Sequence, residues 1–405
     1  NTYSGATTIS AGTLNLTGTN SGSGSVILGA LSSVLKIGKT NSLANGSLAG
    51  ASSTANAGTV DLTAGGNYSI TSLGNSSANA RNLSFTNSSG LATTLTFTAT
   101  TNIISSGANG SSTLTNASAN LDIVFNGVVD MSGTGSNTGL TLDGPGNFTF
   151  NGGLVGTNTS GTRNFIKNGV GTVTFGAASV NNGSATVNAG TLATSANEVL
   201  QDSGTVSISS GATFRLGGNE TVAQANSTST GATINLQGYT LTVGGTGLTY
   251  TNSALTTGAG GKVVKNGAGQ LYLDNSANTY SGGFTLNAGE VQFTSSGTAG
   301  SGVLSNSVFG TGTLTLAGGT IASSSTTGAS GRTIYNSVVL NGTVQMGQTG
   351  WGTTNATMNG GSALLGFSTN ASGTTTLQGD STINTLGYVQ WDQAISGNYR
   401  LTKTG

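Results

Sequence analysis

The 405-residue chain predicts an all-β fold, a parallel β-solenoid, and three observations carry the prediction. Apolar residues alternate with Thr, Ser and Asn at period 2, helix-forming charged residues are nearly absent, and a two-strand unit recurs along the chain. The alternation is plain in "GTLNLTG" (12–18), "TLTFTA" (94–99), "GNFTFNG" (146–152), "GTVTFG" (171–176), "GTVSIS" (204–209) and "GTLTLAG" (312–318). Each has one face to bury and one to wet. Asn-Gly, Gly-Gly, Ala-Gly and Ser-Gly pairs separate the strands and mark turns, because they tolerate positive φ.

Alternation alone permits a sandwich, a barrel or a solenoid, and the repeats decide. The stretch "VVKNGAGQLYLDNSANTYSGGFTLNAGEVQF" (263–293) is matched by "KNGVGTVTFGAASVNNGSATVNAGTL" (167–192), within a copy spanning 165–194. Weaker half-copies lie at 144–152 and 310–318. The opening residues 1–18 match the second half of the unit, and the closing residues 399–405 match its first half. Units that each expose an apolar face need neighbours to bury it, so residues 1–405 are expected to form one continuous solenoid. Coils of about 20–25 residues give about 16–20 turns, and a rod of roughly 80–95 Å at ~4.8 Å per stacked strand. Irregular repeat spacing predicts wide loops or side strands in 73–121 and 295–334.

Composition supports this reading and removes several functions. Charged residues are only 5%, against about 25% in ordinary globular proteins. Stacked coils set like above like, so rows of like charge repel while rows of Thr, Ser and Asn bond along the axis. A net charge of zero without a Lys/Arg stripe leaves no footprint for nucleic acid. No apolar run approaches the ~20 residues of a membrane helix, so this segment is not expected to insert in a bilayer. No Met or apolar leader stands at the start, as expected of a mature or excised segment. With no His and no Cys, catalytic triads, thiol chemistry and His/Cys zinc sites are excluded. No cofactor is expected.

The central stretch resembles the autotransporter-associated β-strand repeat, found in passenger regions of bacterial autotransporters and in very large surface proteins. The family pattern Lys-x-Gly-x-Gly, strand, Asn-Thr-Tyr-x-Gly, then Leu-Asn-Ala-Gly falls here on Lys265, Gly267 and Gly269, then Leu271 and Leu273. It continues through Asn278, Thr279, Tyr280 and Gly282 to Leu286, Asn287, Ala288 and Gly289. The copy beginning at Lys167 keeps the first and last parts but reads "SVNNGSATV" where Asn-Thr-Tyr would stand. The segment "GRTIYNSVVLNGTVQMG" (331–347) is similar to segments that follow such repeats. The resemblance implies a right-handed parallel β-helix displayed outside a bacterial cell. It implies no single activity, since such helices carry structural stalks, adhesins and enzymes.

Candidate chemistry is sparse. Enzymatic β-helices cluster carboxylates on polysaccharides, and the nearest approaches here are Asp122 with Asp130 and Asp380 with Asp392. Turn-capping or solvated Asp is the expected role of all four. Lys36 with Lys39, and Lys262 with Lys265, are read as solvated turn charges. Trp351, Tyr388 and Trp391 are candidate carbohydrate-contact aromatics, to be weighed against ordinary packing. About sixteen Asn-x-Ser/Thr sequons barely exceed the number that this composition gives by chance.

The chain is therefore expected to be a non-enzymatic extracellular structural segment of a bacterial surface fibre, filament or matrix. An adhesin passenger that binds a host surface or glycan is the alternative, and a polysaccharide lyase or hydrolase comes third. Neither terminus reads as a cap, so the end coils are expected to stack on further repeats. The partner is then the chain itself, by covalent continuation of the array or head-to-tail assembly. Asn1, Thr2, Tyr3, Leu401, Lys403 and Gly405 are the candidate junction residues.

Overall fold

A computed structural model describes residues 2–40, 42–50, 58–74, 82–103, 112–132, 138–156, 163–181, 183–246, 249–323, 331–347 and 365–405. The described residues contain no helix. Two compact units divide the chain: Asn1–Gly204 with Gly211–Thr213, and Thr205–Ser210 with Phe214–Gly405. Each is a parallel β-solenoid.

In the first unit the strands up to Leu62 fall on two rows, and from Gly66 on the coils visit three rows in a fixed order. One coil runs through Ser112–Asn116, Leu121–Phe125 and Val129–Asp130, and the next through Thr138–Asp143, Asn147–Phe150 and Leu154–Gly156. Every pairing between them is parallel and in register. The coil length is not constant along the chain. Ile123 faces Phe148 and Phe148 faces Val173 across coils of equal length, while Phe175 faces Thr194 across a shorter one.

In-register stacking places identical side chains over one another, and the core shows the result. Phe97, Phe125, Phe150 and Phe175 occupy one inward row, all at most 1% exposed. Their ring centroids lie 5.0, 5.0 and 5.2 Å apart, the spacing that neighbouring strands impose. The first two contacts are nearly parallel stacks, with interplanar angles of 13° and 14°. The outward rows hold Thr, Asn and Ser, as the alternation requires. Where opposite charges meet they do so across one rung: Lys36 faces Asp61 in register, with 4.0 Å between the charged groups.

The second unit has two long rows. One includes Lys262–Lys265, Phe284–Leu286, Leu314–Leu316, Val338–Leu340 and Thr375–Leu377. The other includes Gln270–Leu273, Glu290–Phe293, Thr320–Ser323, Thr343–Met346, Ser381–Thr385 and Leu401–Thr404. A shorter row stacks Arg332–Ile334, Leu365–Phe367 and Val389–Trp391.

The two segments expected to be irregular behave differently. Within 73–121 the described residues include coil strands Leu83–Asn87 and Thr93–Phe97, and the rest of the expected irregularity, at 75–81 and 104–111, lies outside the described residues. The alternation of those two strands is intact although the repeat signature is worn away. Segment 295–334 does contain side strands: Thr298–Gly300 and Val303–Asn306 pair antiparallel, the one antiparallel pair among the described strands. Ser301 and Gly302 join them with φ of 52° and 78°, the two left-handed residues of a type I′ turn.

Replacing Phe125 by Ala removes the middle of the aromatic row and leaves rings above and below without a partner. The expected loss is about 3–5 kcal/mol, read as a lowered urea midpoint. Phe125→Leu, which refills most of the volume, is expected to lose less.

Candidate functional site

The repeat signature is the one place where sequence marks specific residues, and its geometry is that of a coil-to-coil clasp. In the strand Lys262–Lys265, Val263 and Lys265 share the inward row. Lys265 lies in register between Val243 and Leu286 and is fully buried. Its stem takes the place of an aliphatic core residue, while its ammonium bends into the turn. There Nζ donates to the carbonyl oxygens of Asn266 at 2.7 Å, Gly267 at 2.8 Å and Ala288 at 3.4 Å. The first two belong to its own Lys-Asn-Gly turn, the third to the Asn-Ala-Gly turn one coil on.

The other copy is built alike. Lys167 is 2% exposed, faces Leu142 and Val187 in register, and donates to Gly169 O and to Ala189 O, the latter at 3.2 Å. Outside each clasp an Asn pair closes the same two coils. Asn287 Nδ2 donates to Asn266 Oδ1 and Asn188 Nδ2 to Asn168 Oδ1, each at 2.8 Å. Reading Lys265 as a solvated turn charge is therefore corrected. Its period-2 step with Val263 is the signal that it points inward. Lys262 is half-buried, Lys39 is exposed, and Lys36 is the strand residue facing Asp61.

Gly289 explains the last position of the signature. Its φ is +77°, and a Cβ there would press on the Gly267 and Gly269 carbonyls and on the Lys265 ammonium. The Asn-Thr-Tyr segment makes a second tie. Buried Asn278 accepts a bond from Thr256 N at 2.7 Å and donates to Val308 O at 3.1 Å, so it joins the coil before to the coil after. Tyr280 is 2% exposed, and burial drives its hydroxyl pKa upward.

A sequence profile for the passenger-associated-transport-repeat matches residues 1–16, 165–193 and 263–293. The chain carries autotransporter passenger repeats. Searches of curated proteins and of solved structures found no match. The passenger repeats at 165–193 and 263–293 hold the two lysine clasps. In the repeat at 1–16, Tyr3 is 48% exposed and donates to Ala6 O at 2.8 Å.

The remaining candidates are spent on the coil itself. Asp122 accepts from Asn147 Nδ2 at 2.9 Å and Asp130 from Ser132 N at 2.7 Å. They stand on different strand rows. Asp380 accepts from Arg400 N and NH2, both at 3.0 Å, and that backbone N–H and then the guanidinium hold its carboxyl below the usual range. Asp392 accepts from Gln390 Nε2 at 3.0 and 3.1 Å. No group of three His, Cys, Asp or Glu able to hold a metal occurs among the described residues.

Trp351 lies outside the described residues. Trp391 stacks on Phe367, with centroids 3.8 Å apart, and donates its indole N–H to Thr375 Oγ1 at 2.9 Å. Tyr388 lines a groove of about 460 Å³ with Leu386, Val389, Lys403 and Gly405, and Trp391 does not. Of the junction candidates, Asn1 lies outside the described residues, while Thr2, Leu401, Lys403 and Gly405 are exposed. Lys403 faces Ile383 in register and donates to Gly405 O.

One buried polar chain has no sequence signal. Ser307 Oγ bonds Asn336 Oδ1 at 3.0 Å, and Asn336 Nδ2 donates to Gly310 O and Gly312 O at 3.0 and 2.7 Å. Gln393 Nε2 then donates to Asn336 O at 2.9 Å, and Gln393 Oε1 accepts from Thr375 Oγ1 at 2.9 Å. Only the coiling brings these residues together.

Three predictions test the clasp. Lys265→Met leaves three carbonyls without their donor and is expected to cost about 1–3 kcal/mol at neutral pH. Gly289→Ala is expected to destabilise through both its φ and the blocked space. Burial also pushes Lys265 and Lys167 down to about 8 from 10.5. Between those values the unfolded chain keeps a proton that the folded chain releases, so stability rises as pH climbs through that window. Urea midpoints measured across it should rise in the wild type and stay flat in the Lys167→Met/Lys265→Met double variant.

Proposed function

We propose that this chain is a non-enzymatic structural segment of a bacterial surface passenger, a solenoid that extends a fibre or matrix outside the cell. One observation carries the reading: the signature residues Lys265, Asn278, Asn287 and Gly289 all turn their chemistry onto neighbouring coils. A repeat under such constraint maintains stacking. The four candidate carboxylates, Asp122, Asp130, Asp380 and Asp392, each accept a hydrogen bond within a turn or across a rung. The passenger repeats support a location at the cell surface.

An adhesin passenger is the second reading, favoured by the hairpin Thr298–Gly300 and Val303–Asn306, whose Val303 is 61% exposed. Immunogold labelling of intact cells with an antibody to this chain tests the first reading. The expected result is label along filaments or an external layer without permeabilisation. Label that appears only after permeabilisation overturns the surface assignment. Loss of adhesion to a host surface or glycan on deleting 298–306, with filaments unchanged, decides for the adhesin.

A further inference from the structure

The Asn-Thr-Tyr part of the repeat at 263–293 borders a small void in the core of the second unit. Apolar side chains such as Leu271 and Phe284 wall it, and Thr256, Asn278 and Tyr280 bring polar groups to it. Tyr280 is 2% exposed and Thr256 3%. Thr256 stands in the inward row, in register with Ile234, so a hydroxyl takes the place of an aliphatic side chain there. Neither the Tyr280 nor the Thr256 hydroxyl hydrogen-bonds another described residue.

Tyr68 shows the contrast. It is as deeply buried, yet its hydroxyl accepts from Ala64 N at 3.2 Å and donates to Ala64 O at 2.7 Å. Tyr280 cannot swing to such a partner, because its ring is wedged against the next coil, where a Cβ on Gly310 would lie 2.8 Å from it. Burial keeps the Tyr280 hydroxyl protonated, so it both donates and accepts. Asn278 adds acceptor capacity, since its Oδ1 receives one bond, from Thr256 N, and has a second lone pair.

Size decides what the void can take. It measures about 20 Å³, and a single water occupies about 10–15 Å³ of such space. A second water does not fit, and a hydrocarbon such as benzene needs a cavity of about 150 Å³. Polarity then decides whether the void is wet. An apolar void stays dry, whereas one with about two to four polar partners holds a water that satisfies them.

We propose that this void binds one ordered water molecule, which bridges Tyr280 Oη on one coil to Thr256 Oγ1 on the coil before it. The site goes beyond the surface-passenger reading and does not depend on it. The bridge is a further coil-to-coil tie beside those of Lys265 and Asn278, and it gives the hydroxyl of the signature tyrosine its role. The other two repeats are built differently: Tyr3 gives its hydroxyl to Ala6 O, and residues 165–193 contain no tyrosine.

Isosteric variants of the full chain test the site, read by urea midpoints. Tyr280→Phe keeps the ring and removes only the hydroxyl. With the water in place this strands the water and Thr256, and the midpoint is expected to fall. In a dry void it would remove a bare polar atom from the core, and the midpoint would rise. Thr256→Val is expected to lower the midpoint as well. The double variant should lose less than the sum of the two, because both changes break one bridge. Crystals of the wild type supply an independent readout, with one density peak expected within hydrogen-bond distance of both hydroxyls. A raised midpoint in Tyr280→Phe overturns the proposal, as do strictly additive losses. An empty void in crystals that show ordered water elsewhere, or one that takes up xenon under pressure, overturns it in favour of a dry cavity.

Discussion

The solenoid follows from one constraint: each coil strand must lie parallel and in register on the strand one coil earlier. The backbone ladder satisfies its N–H and C=O groups only in that arrangement. Once it is imposed, side chains have no freedom to choose neighbours, because each position on one coil must tolerate its counterpart on the next. Phenylalanines then stack face to face, threonines line up outward, and like charges become the costliest thing a row can contain. The composition is the consequence of the stacking and not an independent trait.

Lys265 shows how the constraint is met where a charge does enter. A cation in an inward row is normally expensive, and burial alone lowers its proton affinity. The turn beside it offers three carbonyl oxygens, which have spare lone pairs even when their backbone is otherwise paired. The stem fills core volume and the head ties two turns of different coils. A neutral aliphatic would pack as well and tie nothing. Lys167 repeats the solution with a different neighbouring sequence, which marks it as a property of the repeat.

The all-β class, the parallel stacking and the repeat positions are legible in the chain because period 2 and internal copies are local signals. Lys265 reads as solvated from its charge, although its alternation with Val263 places it inward; the usual preference of charge for water outweighs the pattern in such a reading. Trp391 cannot be assigned from sequence, since Phe367 and Thr375 reach it only through coiling. The Asn336–Gln393 network lacks any signal for the same reason, its members being 57 residues apart. Local chemistry is written in the sequence, and which turn lies above which depends on coil lengths that the turns hide.

Those coil lengths have a consequence of their own. Val263 faces Phe284 across a short coil, yet Phe284 faces Leu314 across a longer one, and the hairpin at 298–306 takes up the difference. The rows on either side continue without a shift in register. Insertion at such a corner changes girth and leaves axial order untouched, so length can be gained or lost there without refolding the molecule. Evolution can thus edit what this solenoid displays independently of how it stands, and a grafted peptide at Ser301–Gly302 would exploit the same separation.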